Sequence, residues 1–429
     1  MSSSKQKPTH HNNKAAQHDP FAAMRFRDYR LFTIGRVVLF TGGQMQTVAL
    51  GWELYERTNS AMALGGIGLA QVLPMIALTL ITGHVADKSD AKGGQSQRKK
   101  ITLYSMLLLM FCSLTLAAIS YYQGAVFLIY ACLLLTGVAR AFLKPAGDAL
   151  MWQLIPMSAF TNAATWNSSS FQLASVIGPA LGGFSIALFK NATGVYILSA
   201  IAALSCFFLT AAIKPQKTNF KKEPISLKTL AAGAEFVWNN QLILAAITLD
   251  LFAVLLGGAV ALLPVFAKDI LHVGPVELGY LQAAPSIGAL IMAALLVYLP
   301  PIRKAGPALL WSVVGFGIVT IIFGLSRWVW LSLLMLVLSG ALDSISVVIR
   351  HTLVQIRTPD HLRGRVAAIN SVFISASNEL GGFESGLTAA LFGPVFSVVG
   401  GGIGTILVVV ATAVIWPEIR KLGALHEDL

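Results

Sequence analysis

Charge is what this chain is short of. Only 12% of its 429 residues are Asp, Glu, Lys or Arg, about half the share of a soluble domain, while 55% are hydrophobic. Polar side chains this sparse cannot cover the apolar surface, which excludes a water-soluble globule and points to a bilayer as solvent. Cysteine is scarce too, and Cys112, Cys132 and Cys206 all lie inside apolar runs, so there is neither a disulfide framework nor a zinc-ligand spacing. Phosphate loops are absent: Gly65-Gly66-Ile67-Gly68 lies within an apolar run rather than after a strand, and no His-Glu zinc pattern occurs. No enzyme activity, metal or cofactor is therefore expected, and any energy must come from a gradient, most simply of protons. His10, His11 and His18 sit scattered in a polar tail, where metal binding is the less economical reading.

What the chain has is apolar runs, near 31–54, 61–83, 101–122, 125–150, 163–189, 193–213, 242–266, 277–299, 306–325, 328–353, 366–392 and 397–416. Each is about as long as a hydrocarbon core demands, and too long and evenly apolar for barrel strands, so all twelve read as helices. The expected class is an all-α membrane protein with twelve transmembrane helices. Residues 1–24 are polar and the first run is too long for a cleavable secretory signal, so none is expected.

A net charge of +12 suggests nucleic acid until its distribution is followed. Loops holding more than one Lys or Arg fall on one side: before the first run, between the second and third, after the sixth, eighth and tenth, and at the chain end. The opposite loops hold only Arg57, Lys190, Lys268 and Arg327. The positive-inside rule then puts both termini and the central loop in the cytoplasm. The partners expected are the lipid bilayer of a bacterial inner membrane and a small-molecule substrate, with no nucleic acid.

The stretch 214–240 is the longest polar break between runs, with an amphipathic surface helix expected around Leu227 to Trp238. Across it the chain repeats. Gly137, Pro156, Asn167 and Gly183 match Gly340, Pro359, Asn370 and Gly386 at a constant offset of 203 (340 minus 137), and Gln71 with Pro74 is echoed by Gln282 with Pro285. The expected domains are a disordered cytoplasmic tail at 1–24, a six-helix bundle at 25–213, a linker at 214–240, a second bundle at 241–416 and a tail at 417–429, with the bundles related by a pseudo-two-fold axis along the membrane normal.

Gly83-His84-Val85-Ala86-Asp87-Lys88, followed by Arg98-Lys99-Lys100, resembles the signature that major facilitator superfamily transporters carry between helices two and three, although about seven extra residues, Ala91 to Gln97, separate its acidic and basic parts. Gly178-Pro179-Ala180-Leu181-Gly182-Gly183 is similar to the motif of the superfamily's antiporter branches. The stretches Thr358-Pro359-Asp360, Arg363-Gly364-Arg365-Val366, Ser377-Asn378-Glu379-Leu380-Gly381 and Phe383-Glu384-Ser385-Gly386 resemble a bacterial subgroup of drug and siderophore efflux proteins related to the enterobactin exporter. The resemblance implies a monomeric secondary transporter that works by alternating access. It implies export of a siderophore or drug by proton antiport, with lipid or lysophospholipid handling as the alternative.

The residues carry readings of their own. Gly178, Gly182 and Gly183 clear one helix face for close backbone approach, while Pro179 permits a bend; a pivot and plain packing both require this. Gly83, Asp87, Arg363 and Arg365 suit a conformational latch or, for Asp87, a solvated helix end. Ionisable groups inside a bilayer are expensive and mark pathways or pairs. Arg140, Lys144 and Asp148 share one stripe of the fourth helix; Asp343 and Arg350 share a face of the tenth. Asp343 is the first candidate for proton coupling, with Arg140 as its counter-charge, followed by Glu379, Asp250 and Glu384; structural ion pairs or hydrogen bonds are the alternative for each. Arg140, Lys144, Arg350, Gln44 and Gln71 are cavity candidates. Gln46, Asn167 and Asn370, like Gln44 and Gln71, suit either pathway lining or interhelical glue, and glue is the reading for the two asparagines. Trp52, Tyr55, Trp328 and Trp330 read as interfacial belt residues.

Overall fold

The computed structural model describes residues 19–91, 95–214, 227–300 and 302–424, without the side chains of 79–91, 95–96, 227–232, 360, 361, 368 and 372. Every regular element among the described residues is helical. In chain order the elements are α1 Arg27–Thr58, α2 Ala61–Ala91, α3 Gln95–Tyr121, α4 Val126–Gln153, α5 Phe160–Phe189, α6 Thr193–Ala211, α7 Leu227–Asn239 and α8 Gln241–Leu256. They continue with α9 Leu263–Val265, α10 Pro275–Tyr298, α11 Ala305–Leu325, α12 Val329–Arg357, α13 Asp360–Phe392, α14 Pro394–Ile415 and α15 Glu418–Lys421. Among the described residues ten helices are long and apolar enough to cross a membrane. The first and the thirteenth have the length, at 32 and 33 residues, but carry Gln44, Gln46 and Glu53, and Asn378, Glu379 and Glu384, which lower their mean hydropathy.

The run expected as one helix over 242–266 is broken. Helix α8 stops at Leu256, Gly257 and Gly258 are not helical, and the chain resumes as a 3-10 turn, α9 and a π-helical turn Phe266–Ile270. Two adjacent glycines lower helix propensity, and Pro264, sitting at the start of α9 where its missing N–H is tolerated, restarts the helix. Irregular backbone at membrane depth survives only against protein or a cavity, and here it lines one.

Packing repeats across the linker. Helix α1 packs on α5 and α6, α2 on α4, and α3 on α4 and α6; in parallel, α8 packs on α13 and α14, α10 on α12, and α11 on α12 and α14. The two sets meet mainly along α5 with α10 and α2 with α13. Glycine permits the tightest of these contacts. Side chains on Gly137 or Gly340 would strike the backbone of Gln71 or Pro285, and at the crossings between sets Gly183 faces Pro275 and Gly279 while Gly386 faces Ala61 and Gly65.

Both crossings lie toward the end marked by the α1–α2 turn, called here the far end. There one core runs across both sets, joining Val48, Leu54, Leu133 and Tyr196 to Leu262, Phe266, Leu278 and Phe323. At the near end, where α1 begins, the core divides. Tyr29, Phe32 and Leu150 belong to one cluster, and Ala245, Leu309 and Leu353 to another. The molecule is thus closed at the far end and split at the near end. Helix α7 lies at the near end against α13, with Gly233 on Arg365 and Ile369.

Because no side chain fits at the α5–α10 crossing, Gly183→Val is expected to destabilise the protein by about 1–3 kcal/mol, read as a lowered unfolding temperature in detergent. Gly43→Ala, where nothing lies within 4 Å of the added carbon, is expected to stay within about 0.5 kcal/mol of the parent.

Candidate functional site

Between the two sets lies a cavity of about 400 Å³, walled mostly by α8, α10, α11, α12 and α13 and completed by Thr47 and Gly51 of α1 and Leu64, Gly65, Ile67 and Gly68 of α2. Its polar lining includes Gln282, Ser312, Ser346 and Asn378; its carboxylates are Asp250, Asp343 and Glu379. The helix break puts Gly257 and Gly258 in the wall. These glycines let the strand of backbone lie against the Phe316 ring and the Gly381 carbonyl, positions any side chain would occupy.

The ion pairs differ from the pairing expected between Arg140 and Asp343. Arg350 of α12, only 8% exposed, forms an ion pair with Asp250 of α8, lies 3.8 Å from Asp343, and donates from Nε to the Ser346 carbonyl at 3.2 Å. Asp343 therefore finds its cation one turn pair along its own helix and within its own set. Arg140 of α4 instead donates to Gln71 Oε1 of α2 at 2.6 Å and stands within Coulombic reach of Glu379 of α13. The Glu379 carboxylate rests on Gly68 of α2, where a side chain would collide with it. Glu379 and Arg140 thus come from different sets and act on one another at longer range than an ion-pair contact. Arg140 is exposed.

The stripe Arg140, Lys144 and Asp148 has three separate destinations. Asp148 pairs with Arg36 of α1 at 3.0 Å, a cation that the sequence reading passed over and that also lies over the Phe32 and Phe40 rings. Lys144 is exposed with no ion-pair partner among the described residues. Glu384 accepts from Thr388 at 2.7 Å on its own helix and does not line the cavity. Gln44 donates to Ser175 of α5 at 3.1 Å, and Gln46 accepts from Ser113 and Ser199 at 2.8 and 2.9 Å; each ties neighbouring helices together. Gln44 thereby moves from cavity candidate to packing residue. Among the described residues neither Asn167 nor Asn370 makes a side-chain hydrogen bond.

Gly178 and Gly182 let α5 lie against Thr41, Gln44 and Met45 of α1, while Gly183 turns to α10. The segment from Gly178 to Gly183 therefore touches both sets. Of the latch candidates, Gly83 and Asp87 have side-chain positions outside the described residues; Arg363 donates to the Thr358 carbonyl at 3.3 Å and Arg365 backs onto Gly233. The Lys99 ammonium of the basic half donates to the Ala211 and Ile213 carbonyls at 2.7 and 2.6 Å. It thus caps the C-terminus of α6, where a cation is favoured.

Tyr55 is the clearest correction. It is no belt residue: it is 5% exposed, and its hydroxyl donates to Asp269 of the π-helical turn, with the Lys268 ammonium 6.0 Å from its ring centroid. This polar tie joins the two sets at the far end. Beside it a network unseen in the sequence links Glu53 to Tyr196 of α6 at 2.7 Å and to Arg57 at 3.2 Å, with Arg57 donating to the Gly124 carbonyl. Trp328 and Trp330 are exposed as belt residues should be, at 75% and 84%; Trp52 is half-buried.

With this geometry in hand, known proteins can be compared. The profile of one family, described as transmembrane secretion effector, matches residues 18–426. The chain is 23% identical over 353 residues to the multidrug efflux pump Tap of Mycolicibacterium fortuitum, covering 79% of this chain and 84% of the pump. It is 27% identical over 255 residues to the enterobactin exporter EntS of Shigella boydii, covering 58% of this chain and 60% of the exporter. Among solved folds, a bacterial homolog to the human lysosomal transporter Spinster, inward-facing and occupied, superposes with a TM-score of 0.70 at 13% identity, covering 92% of this chain and 97% of that one.

The Asp250–Arg350 pair yields a prediction. Arg350→Met is expected to cost about 3–5 kcal/mol of stability by leaving buried carboxylate charge unanswered, and adding Asp250→Asn should recover much of that loss in a double-mutant cycle of unfolding temperatures.

Proposed function

The chain belongs to the transmembrane secretion effector family of the major facilitator superfamily, and on that footing we propose that it exports a small amphipathic compound by proton-coupled antiport. Efflux is supported by the relatives, named as a multidrug efflux pump and an enterobactin exporter. The observation that carries the mechanism is the charged cavity between two helix sets, sealed at one end and split at the other.

In this reading α1–α6 and α8–α14 are two six-helix bundles, α1 and α13 also span the bilayer, and the matched packing partners on either side of α7 reflect a pseudo-two-fold axis along the membrane normal. The positive-inside rule assigns the near end to the cytoplasm of a bacterial inner membrane. The conformation is then inward-open. The domain limits are those expected from the sequence, with 214–240 as the cytoplasmic linker, and the unit is a monomer. A lipid cargo sliding through the α5–α10 seam is disfavoured by the glycine contact that fills its far end.

The coupling acid is Glu379, ahead of Asp343 and Asp250. A proton placed on Glu379 removes the negative charge that Arg140 of the other bundle feels across the seam, and so changes the free energy of one conformation relative to the other, which is what coupling requires. Asp343 and Asp250 share Arg350 within one bundle, so their protonation acts less directly on the seam. Tyr55 and Asp269 hold the far end shut in this conformation and separate when the bundles rock to the outward-open state.

In proteoliposomes loaded with ethidium, an imposed pH difference is expected to drive uphill efflux; Glu379→Gln should abolish the uphill component and retain downhill exchange. Unchanged uphill transport in that variant would remove Glu379 from the role. Spin labels at the α1–α2 turn and the start of α10 provide a second check: Tyr55→Phe should raise the population of the longer far-end distance, and an unaltered distribution would show that the tie does not govern closure.

A further inference from the structure

We propose that the cargo is an amphipathic organic cation bearing one positive charge, seated against Asp343. The inference rests on the exporter reading of the same cavity and narrows it to one charge class. Among the described residues three carboxylates line the cavity, and no Lys, Arg or His does so. The cations that answer them lie outside that lining: Arg350, shared by Asp250 and Asp343, and the exposed Arg140, which donates to Gln71 and acts on Glu379 at longer range. With all five groups ionised the cluster keeps one negative charge. Such a charge in a membrane interior is costly unless a cation or water answers it, and the groups that can neutralise it are a proton or a cationic cargo.

Geometry says which carboxylate is left over. Arg350 is in direct contact with Asp250, whose side chain is 12% exposed, whereas Asp343 lies at 3.8 Å with a side chain 50% exposed to the cavity space. Asp343 is therefore the under-compensated acid and the one that a ligand reaches. The rest of the lining is uncharged, with Val254, Phe316, Leu342 and the side-chain-free Gly257 and Gly258 among its apolar members and Gln282, Ser312, Ser346 and Asn378 among its polar ones. Phe316 offers a ring face on which an organic cation gains further attraction. A polyanionic catecholate would meet three carboxylates. A flat or globular hydrophobic cation answers both the charge and the surface.

This arrangement divides labour between the acids. Asp343 seats the cargo, and Glu379, across the cavity at the seam, responds to the proton. A cation at Asp343 and a proton in the same cluster each cancel the same residual charge, so occupancy by one weakens the demand for the other, as exchange requires.

The test uses two ions of matched size and opposite sign, tetraphenylphosphonium and tetraphenylborate, binding to the purified full-length protein in detergent. Saturable binding of the phosphonium and none of the borate is expected. Asp343→Asn should weaken phosphonium binding about ten- to hundredfold, the loss of a charge-assisted contact, and Asp343→Glu should restore most of it, with unfolding temperatures confirming that both variants are folded. Equal binding of the borate, or an Asp343→Asn variant that is folded and binds the phosphonium as the parent does, overturns the proposal. Failure of the exporter reading looks different. If the phosphonium binds through Asp343 but neither it nor any other compound is moved uphill by a pH difference, export fails and the cation site stands; if neutral or anionic compounds are exported while the phosphonium neither binds nor competes, the cation proposal fails and export stands.

Discussion

A charge in the middle of a bilayer has to be answered locally, because no water stands by to solvate it. The site of this protein follows from that constraint. Asp250 keeps its charge beside Arg350, Asp148 beside Arg36, and Glu53 between Arg57 and Tyr196. These pairs are structural and belong to single helix sets. Glu379 and Arg140 differ in coming from opposite sets and in acting on one another at longer range than an ion-pair contact; the attraction between them depends on how the sets are placed.

The second requirement is backbone proximity without side chains. In lipid there is little hydrophobic gain from pressing helices together, so close van der Waals contact has to supply the attraction. Glycines provide it at repeated positions: Gly137 and Gly340 inside each set, Gly183 with Gly279 and Gly386 with Gly65 between them. The contacts between sets gather toward the far end, and the continuous core lies there as well. A hinge sealed by flat glycine surfaces and one polar tie, Tyr55 to Asp269, can open without tearing an interdigitated core. In the proposed export cycle glycine at the far end and charge in the centre are complementary: the first allows the rocking, the second biases it.

Much of this was legible in the sequence, and the reasons for the rest are physical. Helices are local, and length with hydropathy exposes them; the duplication is visible because packing glycines are irreplaceable at fixed spacing. The amphipathic Leu227–Asn239 helix was visible for the same local reason. Partners are not local. Arg140 meets Gln71 and Glu379 rather than Asp343 because helix rotation and the tilt between sets decide which charges converge, and neither is encoded in any one segment. Tyr55 sits where belt residues sit, and only its partner on the π-helical turn reveals its burial. The break in α8 did leave a signal, since Gly257-Gly258 and then Pro264 interrupt an apolar run, but high mean hydropathy masks it: the surrounding span is among the most apolar of the chain.

The duplication also explains why the site is lopsided. Two identical halves facing one cavity would place like charges opposite each other, a costly arrangement at this depth. In the repeat, Arg140 occupies the position that Asp343 occupies in the second copy, so one set contributes a cation and the other its acids. The sign change does not make the two residues partners; each is answered by a different group. It makes the sets electrically unequal, with the acids and most of the cavity wall in the second set and Arg140 reaching in from the first. A cation bound on the acid-rich side weakens the attraction that Arg140 feels toward that side, and removing the cation restores it. Charge asymmetry grown from a symmetric repeat is thus sufficient to make cargo occupancy alter the force between the two sets, without any contact between the cargo and the seam itself.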